Sequence, residues 1–422
     1  MDLIVIPYGD SMVEVPLPGG AMPETAGHRF PDPLPDVYTS VRRALDDPIG
    51  CAPLSELIPE SGRIAVLVPD LTRGRTAAAV LKPALEYLES AGAGPERTTI
   101  FIASGMHRAQ DTAEIEAQLG SSVADRYEIV QHDARDLSAL VDTGTTSFGT
   151  RCLFNRGVVE SALVMGVGAV SFHYFAGFGG GRKLILPGIA GEETIMTNHR
   201  RSLRNDPSEG SSPRCRPGLL DGNPVHEDMI EGASFLPAPV FMVCAVAGFG
   251  GEPAFVCAGD IDRAHREAAA KLRDEYSFDA GRRRRAVIAS AGGHPGDINL
   301  LQAHKAIRNA SLAVEDGGLL LVAAACAEGI GSDSLEEDFA RGRDGVPSAV
   351  SERYTLNSQA SMSIFEITGR IEVRLFSRLP HGRLWKLGFG PWKMEDTVST
   401  LEGSPLDEIL VIPYAASFLP VV

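Results

Sequence analysis

Short apolar runs alternate with stretches of helical spacing along this chain, and that alternation restricts the fold more than any other feature. RIAVLV at 63–68 is followed, after a loop, by residues 76–91, whose apolar positions repeat at helical intervals. The same pair recurs with 98–103 before 111–119 and with 162–170 before a segment ending at 203. It returns at 286–289, where 298–313 reads as a helix and 318–325 as the next buried strand. Strands that alternate with helices form parallel sheets covered on both faces. The fold class is therefore α/β, with mostly parallel sheets flanked by helices.

At 422 residues the chain is long enough for two or three domains. A long charged helix at 260–276 gives way at 277–285 to a polar connection containing Gly and Arg before a fresh strand begins. This places one α/β domain at 1–278 and a second at 279–406, with the active site in the cleft between them and 277–285 as a hinge. EILVIPY at 408–414 echoes LIVIPY at 3–8, so 407–422 is expected to return to the first domain and pair beside its first strand. Pro- and Gly-rich stretches at 17–35 and 205–223 read as long surface excursions of the kind that serve as lids or assembly arms.

With 39 Lys and Arg against 55 Asp and Glu, the formal charge is −16. Such a chain repels a phosphate backbone, which argues against nucleic acid or an anionic membrane as partner. The four arginines at 282–285 are a local exception; standing just before an apolar strand, they read as a solvated strand edge. Apolar residues at 44% and a mean hydropathy of +0.00 are those of an ordinary folded protein. The apolar runs are far shorter than the roughly 20 residues that span a bilayer. Residues 1–8, MDLIVIPY, lack a basic n-region and read as a strand rather than a leader. Six cysteines without CxxC spacing suggest neither a zinc site nor a disulfide framework, and fit a reducing cytoplasm.

In open α/β sheets the reacting groups gather beyond the carboxyl ends of strands. Polar loops follow four of the expected strands: Asp70 to Arg73; Ser104 to Arg108; Ser171 to Tyr174; and AGGHPGDINLLQAHK, ending in Gln302, His304 and Lys305. The densest signal is HYFAGFGGGRKLILPGIAGEETIMTNH at 173–199. Gly177, Gly179, Gly180 and Gly181 leave backbone N–H groups open to a phosphate, or simply make a tight turn. It is not a Walker A loop, because Arg182 stands before Lys183 where Gly is needed and Leu184 stands where Ser or Thr would hold magnesium. Lys183 suits a phosphate contact, a Schiff-base amine, a cofactor attachment point or an ordinary surface position. His107, His173 and His199 each suit a structural role as well as a chemical one.

Taken together, DLTR at 70–73, GMHR at 105–108, HYFAGFGGGRK and ILPG within 173–188, NH at 198–199 and QAHK at 302–305 resemble, in order and separation, the nickel-pincer lactate racemase family. The resemblance runs from about residue 60 to 310. It implies a pyridinium-derived mononucleotide, with a thioamide and a thiocarboxylate, bonded to Lys183 and gripping Ni(II) through a carbon and two sulfurs. His199 would be the fourth metal ligand, and soft sulfur donors with an imidazole suit square-planar nickel. Gly179, Gly180 and Gly181 would complete the cofactor site, and Asp70 would contact the cofactor or orient Arg73.

The activity so implied is inversion of C2 of a 2-hydroxy acid, by hydride transfer to the cofactor and back. His107 and His173 would act as acid and base on opposite sides of the substrate, and Arg73, Gln302 and Lys305 would hold its carboxylate, with Arg73 also steadying the oxyanion. The expected partners are the small 2-hydroxy acid and the enzymes that make and load the cofactor; a homo-oligomer is compatible with the sequence. Leu301 stands where the lactate enzymes carry Tyr, and Gly179 where Ser is common, a reduced polar lining that would open the pocket to a longer or more apolar substrate. The tryptophans, Trp385 and Trp392, lie late in the chain, and no aromatic is assigned to stack on the cofactor. The competing readings are a Schiff-base or conventional metal enzyme built on Lys183 and the histidines, and a nucleotide- or metal-binding protein without turnover.

Overall fold

A computed structural model describes residues 2–19, 22–71 and 74–422. Among them the chain builds two six-stranded sheets, each mostly or wholly parallel. The first runs Pro253–Asp260, Val240–Ala247, Leu163–Ala169, Ile64–Pro69, Thr98–Ala103, Glu128–Gln131, and only its edge strand Pro253–Asp260 is antiparallel to its neighbour. Ile64–Pro69 is buried along its whole length. Because side chains alternate across a strand, Ala65 and Leu67 enter one core with Leu184 and Ile185, while Ile64, Val66 and Val68 enter another with Val80, Leu81 and Leu85. Helices on both faces supply these two cores, among them Gly74–Ser90 on one and Arg263–Tyr276 on the other.

The second sheet is parallel throughout, in the order Gly390–Pro391, Glu372–Phe376, Val314–Ala323, Arg284–Ser290, Ile409–Ile412, Glu24–Thr25. The end of the chain therefore does not pair beside residues 3–8, as the echo between the two segments suggested. Ile409–Ile412 is buried at every position and needs partners on both edges, which Arg284–Ser290 and Glu24–Thr25 provide. Asp2–Tyr8 has one buried face, forms a hairpin with Ser11–Leu17, and lays Ile4, Ile6, Val15 and Leu17 over Ile288, Leu321 and Val411 of the second sheet. The first residues of the chain thus pack with the second sheet. Farther on, Leu419–Val421 pairs with Ser277–Asp279, across the connection read as a hinge.

The excursion at 17–35 is strapped down. Phe30 packs edge-on against Phe249, Tyr276, Tyr414 and Phe418, with centroids 5.0–5.9 Å away. Residues 20 and 21 lie outside the described residues. The excursion at 205–223 is tied to the second half of the chain by Ser211, whose N–H donates to Glu366 Oε1 at 2.6 Å. The arginine run leads into a central strand of the second sheet and has acidic partners: exposed Arg282 binds Asp407 and Glu408, while Arg284, buried at the start of that strand rather than solvated, reaches Glu24 at 2.6 Å.

Candidate active site

The first sheet changes direction of winding between Ile64–Pro69 and Leu163–Ala169, the position where open α/β sheets form a crevice beyond their strands. Asp70 leaves the first of these strands and His173 follows the second. Phe172–His173 turns back on itself to pair with Gly177–Phe178, and the turn lifts Tyr174 and Phe175 between them. A 3₁₀ turn, Gly181–Leu184, then carries Lys183, and the helix Glu192–Arg200 carries His199 on its last turn.

These segments bring three of the expected residues around one ring. Lys183 Nζ lies 5.3 Å from the centroid of Phe175, His173 lies 4.5 Å from it edge-on, and His199 lies 5.0 Å from it. Lys183 Nζ is also 3.4 Å from His173 Nε2. Ala176 N–H donates to His173 Nδ1 at 3.2 Å, which leaves Nε2 as the edge turned to Lys183. Phe175 is the residue that sequence reasoning missed; an aromatic inside a Gly-rich run carries no signal apart from its neighbours.

His199 is buried, and that burial together with the nearby Lys183 holds its imidazole well below the ordinary histidine range. Its tautomer follows from Asn198. The Asn198 amide donates through Nδ2 to Val225 O at 3.1 Å and to Asp228 Oδ2 at 2.8 Å, so Oδ1 must face His199. His199 Nδ1–H donates to that oxygen at 3.2 Å and leaves Nε2 with a free electron pair. Asp228 is fully buried and also accepts from Thr146 Oγ1, Thr150 Oγ1 and Arg201 Nε at 2.6, 2.8 and 3.1 Å. A neutral, oriented imidazole of this kind fits a metal ligand.

The glycine loop uses its freedom on the protein itself. Gly179 N–H donates to Ser171 O at 2.7 Å. At Gly180, with φ of +71°, a Cβ would come within 2.3 Å of Ala169 O, and at Gly181, with φ of +54°, within 2.6 Å of His265. The side-chain space at 180 and 181 is thus filled by the strand end and the helix Arg263–Tyr276, which is reason enough for glycine there. Arg182, fully buried, knits the loop together by donating to Phe178 O at 2.9 Å and Ala176 O at 2.8 Å; burial brings its pKa down to about 9.

His107 stands on the neighbouring loop, where its Nδ1 is hydrogen-bonded to Asp70 and most of its ring is exposed. Asp70, expected from the sequence at the cofactor or beside Arg73, is hydrogen-bonded here to His107. The His107 loop is docked on the Lys183 segment: Gly105 N–H donates to Gly188 O, and Gly188 N–H to Lys183 O, at 2.9 and 3.0 Å. Arg73 lies outside the described residues.

Gln302 and Lys305 share the helix Leu300–Ser311 of the second half, and Lys305 Nζ donates to Gln302 Oε1 at 2.6 Å. His304, between them, is fully buried, accepts or donates at Ser363 Oγ over 2.9 Å, and packs edge-on against Tyr174 at 5.0 Å. Burial, with Arg308 and Lys305 nearby, pushes it down to about 3. Tyr174 in turn stacks on His173 at 5.2 Å, which joins this helix to the Lys183 cluster. Neither tryptophan approaches that cluster: Trp385 is exposed, and Trp392 is packed beneath the N-terminal hairpin.

Models of the lactate racemase N-terminal and C-terminal domains match residues 8–211 and 282–375. The lactate racemase of Thermoanaerobacterium thermosaccharolyticum is 31% identical over 346 residues, covering 81% of this chain and 78% of that one. The chain belongs to the lactate racemase family. The lactate racemase of Lactiplantibacillus plantarum is 32% identical over 304 residues, 71% of this chain and 69% of its own. The apoprotein structure of the T. thermosaccharolyticum enzyme superposes with a TM-score of 0.86 at 26% identity, covering all of both chains. A Thermotoga maritima protein shares the fold, at a TM-score of 0.71 and 19% identity over 93% of this chain and all of its own. The lactate racemase family membership makes this protein an isomerase of the racemase kind. Among the described residues, no helix is long and apolar enough to cross a membrane.

Proposed function

We propose that this protein inverts the C2 configuration of a 2-hydroxy acid, lactate or a longer relative of it, using a nickel-pincer nucleotide held on Lys183. The observation that carries this reading is the convergence of Lys183, His173 and His199 on Phe175. An amine and a metal-binding imidazole that share one aromatic neighbour can reach one small molecule, and the cofactor itself would bring the soft donors that the chain does not supply. The donor set fits that group: Lys183 for attachment, His199 Nε2 for the metal, and the Phe175 ring against the same space. When bound, the cofactor would supply a reversible acceptor for the hydrogen on C2.

The chain's own residues would do the rest. Asp70 holds His107 by Nδ1, so that Nε2 keeps a lone pair able to take the substrate's hydroxyl proton. His173, fixed at Nδ1 by Ala176, presents Nε2 from another direction and would serve the opposite configuration. Lys305 with Gln302 would bind the carboxylate, Arg73 would share that task and steady the oxyanion, and Gly179 to Gly181 would shape the floor beside the nucleotide. Leu301 is partly buried against the second core; standing where the lactate enzymes carry Tyr, it would leave that side of the pocket apolar and favour substrates with a longer side chain.

The test is to produce the protein together with cofactor-making enzymes, measure nickel and intact mass, and follow single enantiomers of 2-hydroxy acids by chiral chromatography. Nickel, a mass adduct lost in Lys183→Ala, and convergence of either enantiomer to an equal mixture are expected. Loaded protein that leaves every 2-hydroxy acid unchanged would refute the activity. Zinc, or absorption of a pyridoxal type, would replace it with the Schiff-base or conventional metal reading.

A further inference from the structure

We infer that Gln110 and Gln118 are positioning residues that clamp the backbone on both sides of Asp70, and so aim the Asp70–His107 pair. This rests on the acid–base reading of His107 given above. Asp70 is the first residue beyond a strand, where the ladder that orders the backbone has ended. Its two flanking peptide units are nevertheless pinned by side chains. Gln118 Nε2 donates to Pro69 O at 2.6 Å, and Leu71 N–H donates to Gln110 Oε1 at 3.0 Å. The two amides are joined to each other, Gln110 Nε2 donating to Gln118 Oε1 at 2.8 Å.

The orientation of each amide is forced. Pro69 O needs a donor and Leu71 N–H an acceptor, and the link between the glutamines is satisfied only when both requirements are met; turning either amide over sets donor against donor. Both side chains are buried, Gln110 at 6% and Gln118 at 8% exposure. Burying an amide is unfavourable unless its hydrogen bonds are made, so a matched pair here holds its geometry firmly. Gln110 is further fixed through its main chain, whose N–H donates to Gln131 Oε1 at 2.6 Å and whose C=O accepts from Gln131 Nε2 at 2.9 Å.

Gln110 also stands three residues after His107, on the same loop. The clamp therefore ties the loop that bears the carboxylate to the loop that bears the imidazole. Displacing either by about 1 Å from a reacting geometry can cost on the order of 10²-fold in rate. Neither glutamine need touch substrate to have that effect.

The experiment uses the full-length protein. In ¹⁵N-histidine-labelled apoprotein at low temperature, the proton between His107 Nδ1 and Asp70 should give a downfield resonance, assigned by its loss in Asp70→Asn. Gln118→Met and Gln110→Met, of nearly the same shape, should broaden or abolish it. Gln110→Glu with its carboxyl protonated keeps both the acceptor for Leu71 N–H and a donor for Gln118 Oε1, and should retain more of it as the pH is lowered, a rescue that mere loss of packing does not predict. In loaded enzyme, the Met variants should lower kcat by about 10–10²-fold with KM changed much less. Should Gln118→Met fail to fold, the Glu and Met variants at position 110 make the same comparison. An unchanged resonance and kcat in folded Met variants overturns the clamp. Absence of the resonance in the unaltered protein instead overturns the acid–base reading on which the clamp rests.

Discussion

Replacing Asn198 by Leu tests the orientation of His199, the proposed metal ligand, without touching its imidazole. The substitution keeps the branching and the number of side-chain heavy atoms, with bulkier methyl groups, and removes three polar contacts at a fully buried position. Asp228 loses one of four donors, a bond to a charged acceptor worth about 1.5–3 kcal/mol, although Thr146, Thr150 and Arg201 remain. Val225 O loses a neutral donor, about 1 kcal/mol, and His199 Nδ1–H is left buried without an acceptor, about 1–3 kcal/mol. The apolar side chain returns roughly 1–2 kcal/mol through burial. The expected loss is about 2–6 kcal/mol, a large share of the roughly 5–15 kcal/mol that a folded chain holds. Urea unfolding of the apoprotein measures it. A second measurement, nickel retention of loaded protein against a chelator, should fall about 10–100-fold, because the freed ring no longer holds its tautomer. A stability loss under about 1 kcal/mol together with unchanged retention would show that Asn198 does not orient His199.

Other outcomes follow from the same contacts. Lys183→Ala should abolish covalent retention of the cofactor, read as loss of the adduct mass, while the fold stays intact because the side chain is only partly buried. His107→Ala should leave nickel and adduct in place yet cripple interconversion; an unaffected rate would remove the Asp70–His107 pair from the chemistry. Arg182→Met should destabilise the protein by about 1–3 kcal/mol, as buried Phe178 O loses its guanidinium donor while Ala176 O keeps only the Phe178 N–H; a neutral effect by thermal or urea unfolding would contradict the knitting role. His304 is held to about 3 and His226 to about 2, each chiefly by burial, so the folded state keeps both neutral where the unfolded chain, near 6.5, takes up protons. Stability should be complete above pH 6.5 and fall by about 1.4 kcal/mol per pH unit for each as the pH drops toward 3. His304→Gln should remove one proton from that slope in urea unfolding between pH 7 and 5.

The order of strands and helices was written in the sequence because burial on two faces demands uniformly apolar strands, and RIAVLV or EILVIPY can meet that demand in few ways. The loops of Lys183, His107 and His173 and the helix with Gln302 and Lys305 stood out too, each as a polar break beyond such a strand or at the start of a helix. What the linear text leaves open is which buried strand neighbours which. EILVIPY repeats LIVIPY almost letter for letter, yet one lies inside the second sheet and the other in a hairpin laid over it, because partners at the edges are chosen by the whole sheet. The same holds at the site. Glycine at 180 and 181 reads equally as a phosphate cradle or as room for a neighbour, and only the approach of Ala169 O and His265 shows the second use. Asp70 names no partner in the sequence, since 36 residues separate it from His107 and hydrogen bonds across that gap exist only once two parallel strands lie side by side. Residue type fixed which groups were available; the tertiary packing decided which of them meet.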